Sequence, residues 1–383
     1  MKRAIVLMGL MGLAACQSPG PISIPGITRG PASAEEALET YYKTLSDDFY
    51  PRAPAGLPLP PADQPITRVL VASCQDEEKS ASPVMDVIAG EEADLFLMIG
   101  DNVYGDRNGM SYVNNQADLD ELRESFSDLA ARADFQAVRA AHPMMVAWDD
   151  HDFGANDAGK DFPFRRLAER IHERFWGIEK EDVGAWPGTY YARTFGPEGQ
   201  RTQIIMLDTR FFRDAWGVKG KERYIPSSDP QQDMLGTDQW TWLENQLQQP
   251  ADLRLIISSV QVLPTDAHGW ESWSRLPLEQ ERLYNLINET EANGVVFVSG
   301  DRHAAFLYRK EGVMSYSAHE LTASSINASF SETTEEMDSA QIGAGYPPEN
   351  FGAIEIDWET GTAALSIKAN DGATVRETSV KFK

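Results

Sequence analysis

The chain has 383 residues, 42% of them hydrophobic, nine tryptophans and a formal net charge of −25. That is enough apolar material to bury a large core, as one large domain or two ordinary ones. The acidity repels nucleic acid, anionic membrane surfaces and phosphate esters alike. No nucleic-acid binding is therefore expected, and a site that handles phosphate must reverse the sign locally with metal ions.

Lys2 and Arg3 precede the apolar stretch Ala4 to Leu13, and Leu13-Ala14-Ala15-Cys16 follows. Small residues ahead of a cysteine resemble a bacterial lipobox, so residues 1–15 read as a signal peptide of lipoprotein type. Their apolar core is too short to cross a bilayer, which needs about 20 residues. Cleavage before a lipidated Cys16 predicts an exported protein anchored to a bacterial membrane, facing the periplasm or the cell surface. An ordinary secretory peptide with an unmodified Cys16 is the alternative. Residues 16–33, rich in Pro, Gly and Ser, suit a flexible tether. Within 34–65, Ala34 to Asp48 reads as a helix opened by Ser33 and Glu36 as a capping box, and Pro51 to Pro65 is a proline-rich lead-in.

From residue 66 to 383 one continuous domain is expected. Apolar runs at 66–73, 94–99, 143–148, 203–208, 253–260 and 294–299 predict strands, with helices near 118–140, 163–176, 238–248 and 277–292. This alternation implies an α/β layered fold. After residue 304 the periods shorten to strands at 304–309, 312–318, 352–358, 363–369 and 374–381, expected to extend the sheets in antiparallel fashion. No internal repeat is visible.

Several apolar runs end in metal-ligating residues, which suggests parallel strands delivering ligands to one edge of a sheet, where open α/β sheets bind ligands. Cys74 closes Val69-Leu70-Val71-Ala72-Ser73-Cys74. If Cys16 carries lipid, Cys74 has no disulfide partner; it is either a small buried hydrophobe or a thiolate ligand. Asp101 follows a strand and a glycine, and Tyr104 offers a phenolate oxygen that a hard trivalent ion such as ferric iron favours. Asp149, Asp150, Asp152 and Asn156 are oxygen donors of the kind calcium takes in numbers, but Gly154, Phe153 and Lys160 break the EF-hand pattern. Asp301 and His303 add a carboxylate and an imidazole. Such a set supplies the charge neutralisation and the hydroxide that phosphate-ester cleavage needs.

The motifs ASCQ, MIGDNVYGD, WDDHDFGAND, LDTR and VSGDRH, in this order between Arg68 and His303, resemble those of the alkaline phosphatase D (PhoD-like) family of metallophosphatases. The resemblance implies a four-layer αββα sandwich with mixed sheets, and ferric iron with calcium as cofactors, other divalent metals fitting the same donors. It makes Cys74, Asp101, Tyr104, Asp149, Asp150, Asp301 and His303 the metal-ligand candidates. His151 matches the histidine that acts near the leaving group in ordinary metallophosphatases. Where those enzymes carry a late metal-binding histidine, this chain has Ser258-Ser259-Val260-Gln261, so Gln261 orients water or phosphate at most. Asp152 and Asn156 fall to a supporting or substrate-facing role.

Asp208 and Arg210 form either a buried ion pair or, through Arg210, a bidentate phosphate clamp. His142 and His172 read as structural; His268 and His319 as loop residues. The expected function is metal-dependent hydrolysis of phosphomonoesters, phosphodiesters or both, on a small-molecule or lipid substrate. A phosphodiesterase for phospholipid or polymer head groups is the alternative. A non-catalytic metal- or phosphate-binding lipoprotein is disfavoured, because a binding module needs no proton donor such as His151. No GxSxG elbow marks a serine hydrolase.

Overall fold

The computed structural model describes residues 33–107, 117–178, 187–217, 224–265, 269–330 and 338–383. The leader, Cys16, the tether up to residue 32, and His268 lie outside them. Along the described chain run α1 (Ala34–Tyr42), β1 (Arg68–Ala72), α2 (Pro83–Gly90), β2 (Leu95–Ile99), α3 (Asp120–Ala131), α4 (Ala133–Ala141), β3 (Met144–Ala147), α5 (Asp150–Phe153), α6 (Arg165–Trp176), β4 (Tyr191–Phe195) and β5 (Thr202–Met206). Then follow α7 (Gly236–Leu247), β6 (Leu253–Ser258), α8 (Pro277–Glu289), β7 (Val295–Ser299), β8 (Phe306–Lys310), β9 (Ala318–Thr322), β10 (Asn350–Asp357), β11 (Thr362–Ala369) and β12 (Thr374–Lys381).

Strand residues point alternately to opposite faces, and here both faces need apolar side chains because both are covered. Leu70, Ala72, Phe96 and Met98 pack with Val84, Phe126, Val138 and Ile171 of the helices outside the first sheet. Their neighbours Val69, Val71, Leu95 and Leu97 meet Ile204, Met206, Leu255 and Val298 of the second sheet. On that sheet's outer face Ile205, Ile256 and Phe297 pack with Trp240, Leu243, Leu283 and Ile287 of α7 and α8. Three apolar layers between four layers of elements make the αββα sandwich.

The first sheet runs β12-β11-β10-β1-β2-β3 and the second β4-β5-β6-β7-β9-β8. β1, β2 and β3 are parallel, as are β5, β6, β7 and β9. The ligand-bearing strand ends therefore belong to two facing sheets, correcting the expectation of one sheet edge. β9 is a second correction: residues 313–317 form no strand, and residues 318–322 pair antiparallel with β8, as expected, but also in parallel with β7. The helix expected over 118–140 is broken at extended Arg132, whose guanidinium donates to Asp134 and to the carbonyls of Glu77 and Lys79. Ser33 caps α1 as expected, its hydroxyl accepting the Glu36 N–H at 3.1 Å.

Candidate active site

Four of the ligand candidates sit on backbone that L-residues rarely adopt. Cys74, Asp101, Asp301 and His303 have φ of 58°, 48°, 65° and 54°. Strain of this kind persists where surrounding structure over-determines it, and it concentrates at functional sites. Gly100, at φ 114°, has its own reason: a Cβ there would lie 2.7 Å from Asp149 Cβ. Only glycine lets the ends of β2 and β3 approach closely enough to put Asp101 beside Asp149.

The first cluster comes from the ends of β1, β2 and β7. Cys74, Asp101 and His303 bring one ligand atom each to within 4.8 Å of one another, all buried. Tyr104 joins them, its hydroxyl 3.4 Å from Asp101 Oδ2, which is also 3.4 Å from Cys74 Sγ. His303 Nδ1 is bound to the Ala328 carbonyl, which leaves Nε2 for a ligand. The second cluster, Asp149, Asp150 and Asp301, is all carboxylate, and Asp101 reaches from the first cluster to Asp150 and His151. Thiol, phenol and imidazole thus stand beside a set of oxygen donors.

Two atoms test whether this set fits cations. Asp101 Oδ1 and Asp149 Oδ2 are buried with no hydrogen-bond partner, an arrangement that is costly unless a positive ion completes it. Titration behaviour agrees. Burial pushes the Asp101 and Asp301 carboxyls well above the usual range, and neighbouring carboxylates push them further. Asp150 goes the other way: burial opposes its charge, but His151 and Arg210 hold it below the usual range. Burial also disfavours a charged His151, yet Asp150, Asp101 and Asp106 together raise it well above an ordinary histidine. His303 is lowered to about 4 by burial. The residues fit bound cations of the kinds their donors select, a transition metal at the thiol, phenol and imidazole of the Cys74 side and an oxygen-seeking ion on the Asp149 side.

His151, on α5, is gripped at Nδ1 by Asp106 Oδ1 at 2.5 Å, and its ring lies 4.2 Å from that of Tyr104. Asp106 fixes the imidazole and leaves Nε2 for proton transfer. Arg210 is fully buried and neither pairs with the Asp208 carboxylate nor stands free as a clamp. Its guanidinium binds Asp149 through Nε and Glu271 bidentately at 2.8 Å, with Asp150 at 3.6 Å. The Asp208 carboxylate accepts the N–H groups of Thr189, Arg210 and Phe211. Asp152 accepts the N–H groups of Asn102 and Asp149, tying α5 to the Asp101 turn. Asn156 is exposed, and its neighbour Asp157 lies with Asp150 and Glu271 instead. Gln261 donates to Tyr308 and Thr322, while Ser259 donates to Asp149 at 2.6 Å.

Sequence reasoning missed Asp106, Glu271, Ser259 and Ser324. Asp106 lies in the quoted MIGDNVYGD run, five residues after Asp101, which was its one available signal. His142 binds the Ile88 carbonyl, and His319, expected in a loop, lies instead in β9 with Nδ1 3.1 Å from the Ser317 carbonyl, structural placements both.

The two facing sheets, with acid-rich turns meeting where their parallel strands end, define a metallophosphatase-type fold. Among solved structures, PhoD superposes with a TM-score of 0.64 at 20% identity, covering 85% of this chain and 72% of that one. A dimetal phosphatase from Danio rerio gives a TM-score of 0.50 at 13% identity, covering 84% of this chain and all of that one. The model of the PhoD-like phosphatase family matches residues 69–173 and 185–366, and the chain belongs to that family. Alkaline phosphatase D of Bacillus subtilis (strain 168) is 27% identical over 280 residues, 65% of this chain and 48% of that protein. The chain spans about half the length of this curated relative.

Proposed function

We propose that the protein hydrolyses phosphate esters, mono- or diesters or both, with cations bound at the joined strand ends. The observation that carries this is the meeting of Cys74, Asp101, Tyr104 and His303 with Asp149, Asp150 and Asp301, beside a histidine positioned by Asp106. Thiol, phenol and imidazole suit ferric iron, and the all-carboxylate cluster suits calcium. Cations held there neutralise phosphoryl oxygens and provide hydroxide at neutral pH. His151 Nε2 gives its proton to the departing oxygen, while Asp106 keeps the ring oriented through Nδ1. Arg210 acts through Asp149 and Glu271, holding the former in place.

A second reading, a phosphodiesterase for phospholipid or polymer head groups, draws support from Phe330. It is 56% exposed and stacked 3.9 Å from the His303 ring, an apolar flank to the centre. The test is to assay purified full-length protein on a phosphomonoester and a phosphodiester chromogen, with metal analysis of the same sample. Hydrolysis with iron and calcium bound, and loss of colour in Cys74→Ser, are expected. A fully metallated protein that cleaves neither ester sinks the reading; active, colourless protein holding zinc alone removes the iron.

Export and anchoring form part of the proposal. Several acyl chains on one cysteine hold a protein to a membrane, where a single chain does so only marginally. Cys16→Ser should therefore release the protein from the membrane fraction, and firm retention of that variant argues for another anchor.

A further inference from the structure

β9 belongs to the second sheet, but the chain leaving it crosses to the first and laces onto the Cys74 turn. Ile326 N–H donates to the Ser73 carbonyl at 2.9 Å and Asn327 N–H to the Cys74 carbonyl at 3.4 Å. Asn350 Nδ2, at the start of β10, holds the Ser324 carbonyl at 2.9 Å. In the middle of this strap Ser324 is fully buried, with Oγ 2.9 Å from Cys74 Sγ and 2.8 Å from the backbone N of His303.

The surroundings identify the donor. Ser324 Oγ accepts the His303 N–H, and its single hydrogen then has Cys74 Sγ as its acceptor. A sulfur that binds metal is deprotonated and has nothing to donate in return. The other nearby hydroxyl, Ser73 Oγ, is 3.5 Å from Cys74 Sγ and donates to the Ala323 carbonyl at 3.0 Å. One hydroxyl therefore bridges two ligand candidates brought from different sheets.

We propose that Ser324 is the positioning residue that donates to Cys74 Sγ, ties it to the His303 backbone, and sets how much electron density the sulfur offers a bound metal. This rests on the reading of Cys74 as a metal ligand. Hydrogen bonds to a ligating sulfur tune the metal and hold the ligand's orientation, and loss of such an outer partner typically weakens metal binding about 10–100-fold.

The test uses full-length protein stripped with chelator and reloaded with cobalt(II), so that it does not depend on the native metal. Wild type should show a thiolate-to-cobalt charge-transfer band. Ser324→Ala should move that band to longer wavelength, because the sulfur lone pairs lose their stabilising donor. Ser324→Thr, which keeps the hydroxyl, should hold it near the wild-type position. A purely structural role would change affinity without this pattern. An unmoved band in Ser324→Ala overturns the proposal, as does a wild type with no thiolate band. Should Ser324→Ala fail to fold, the cobalt–sulfur stretch of wild type, read by resonance Raman, should shift on transfer to D₂O, and an unshifted stretch overturns it equally. The expected spectra in a protein that hydrolyses no phosphate ester would sink the proposed activity and leave the role of Ser324 standing.

Discussion

In the proposed reaction His151, held at Nδ1 by Asp106, is the proton donor to the leaving oxygen. General acid catalysis contributes about 10²–10⁴-fold, so His151→Ala should lower turnover of alkyl phosphates in that range with metal content intact. The loss should shrink for nitrophenyl esters, whose leaving group departs without a proton. Equal losses on both ester types, or loss of metal, would remove the general-acid role. His172 offers a different residue-scale test. It is fully buried among Trp148, Phe126 and Trp176, and neither ring nitrogen finds a hydrogen-bond partner. Burial lowers its pKa to about 3, below the ordinary value of about 6.5. The unfolded chain therefore takes up the proton first as pH falls, and stability present above about pH 6.5 is lost on the way to about pH 3. At pH 5 the cost is about 2 kcal/mol, and His172→Phe should remove it. Denaturation at pH 5 and pH 8 checks this; the same pH dependence in both proteins would refute it.

At the scale of elements, the site is a set of sharp turns after parallel strands. Gly100→Ala tests how tightly they are built. A side chain at its φ of 114° costs on the order of 1–3 kcal/mol, and the added Cβ meets Asp149 Cβ. Lower bound metal and a lower melting temperature are expected, and a variant with full metal and unchanged melting would show that β2 and β3 can separate freely. The central strands of the two-sided core were legible because apolar residues run almost unbroken through them, whereas β4, with Arg193 and Thr194 in its middle, was not expected. β9 was not legible either, because His319 and Glu320 interrupt its sequence. Glu320 is fully buried there only because Ser299 Oγ and the N–H groups of Val262 and Leu263 satisfy its carboxylate, partners that no local pattern announces. The break between α3 and α4 is likewise tertiary, since Arg132 turns out of the helix to reach Asp134, Glu77 and Lys79.

For the whole molecule, the acid cluster ties stability to cations. Burial raises Asp101 and Asp301 well above the usual range and Asp152 to about 8. Without cations these groups keep protons in the folded state that the unfolded chain releases above about pH 4. The native state binds more protons than the unfolded one, so the metal-free protein loses stability as pH rises from about 4 to 8. Cations replace those protons and are themselves displaced by acid. The gain in melting temperature on adding metal to chelator-stripped protein should therefore be larger at pH 8 than at pH 5. A gain that is larger at pH 5 would contradict this origin of the charge balance.

Local patterning along the chain specified the layered α/β class and most of the strands, because hydrophobic periodicity is a property of neighbouring residues. It also determined the ligand candidates Cys74, Asp101, Tyr104, Asp149, Asp150, Asp301 and His303, because each stands in a short motif at the end of an apolar run. That these ends meet from two facing sheets, and that Arg210 is bound by Asp149 and Glu271 and not by the Asp208 carboxylate, follows from long-range packing alone. The same holds for Asp106 on His151 and Ser324 on Cys74. Ser324 lies 250 residues from Cys74, and a hydrogen bond across that separation depends on how the second sheet stacks on the first, which no local spacing encodes.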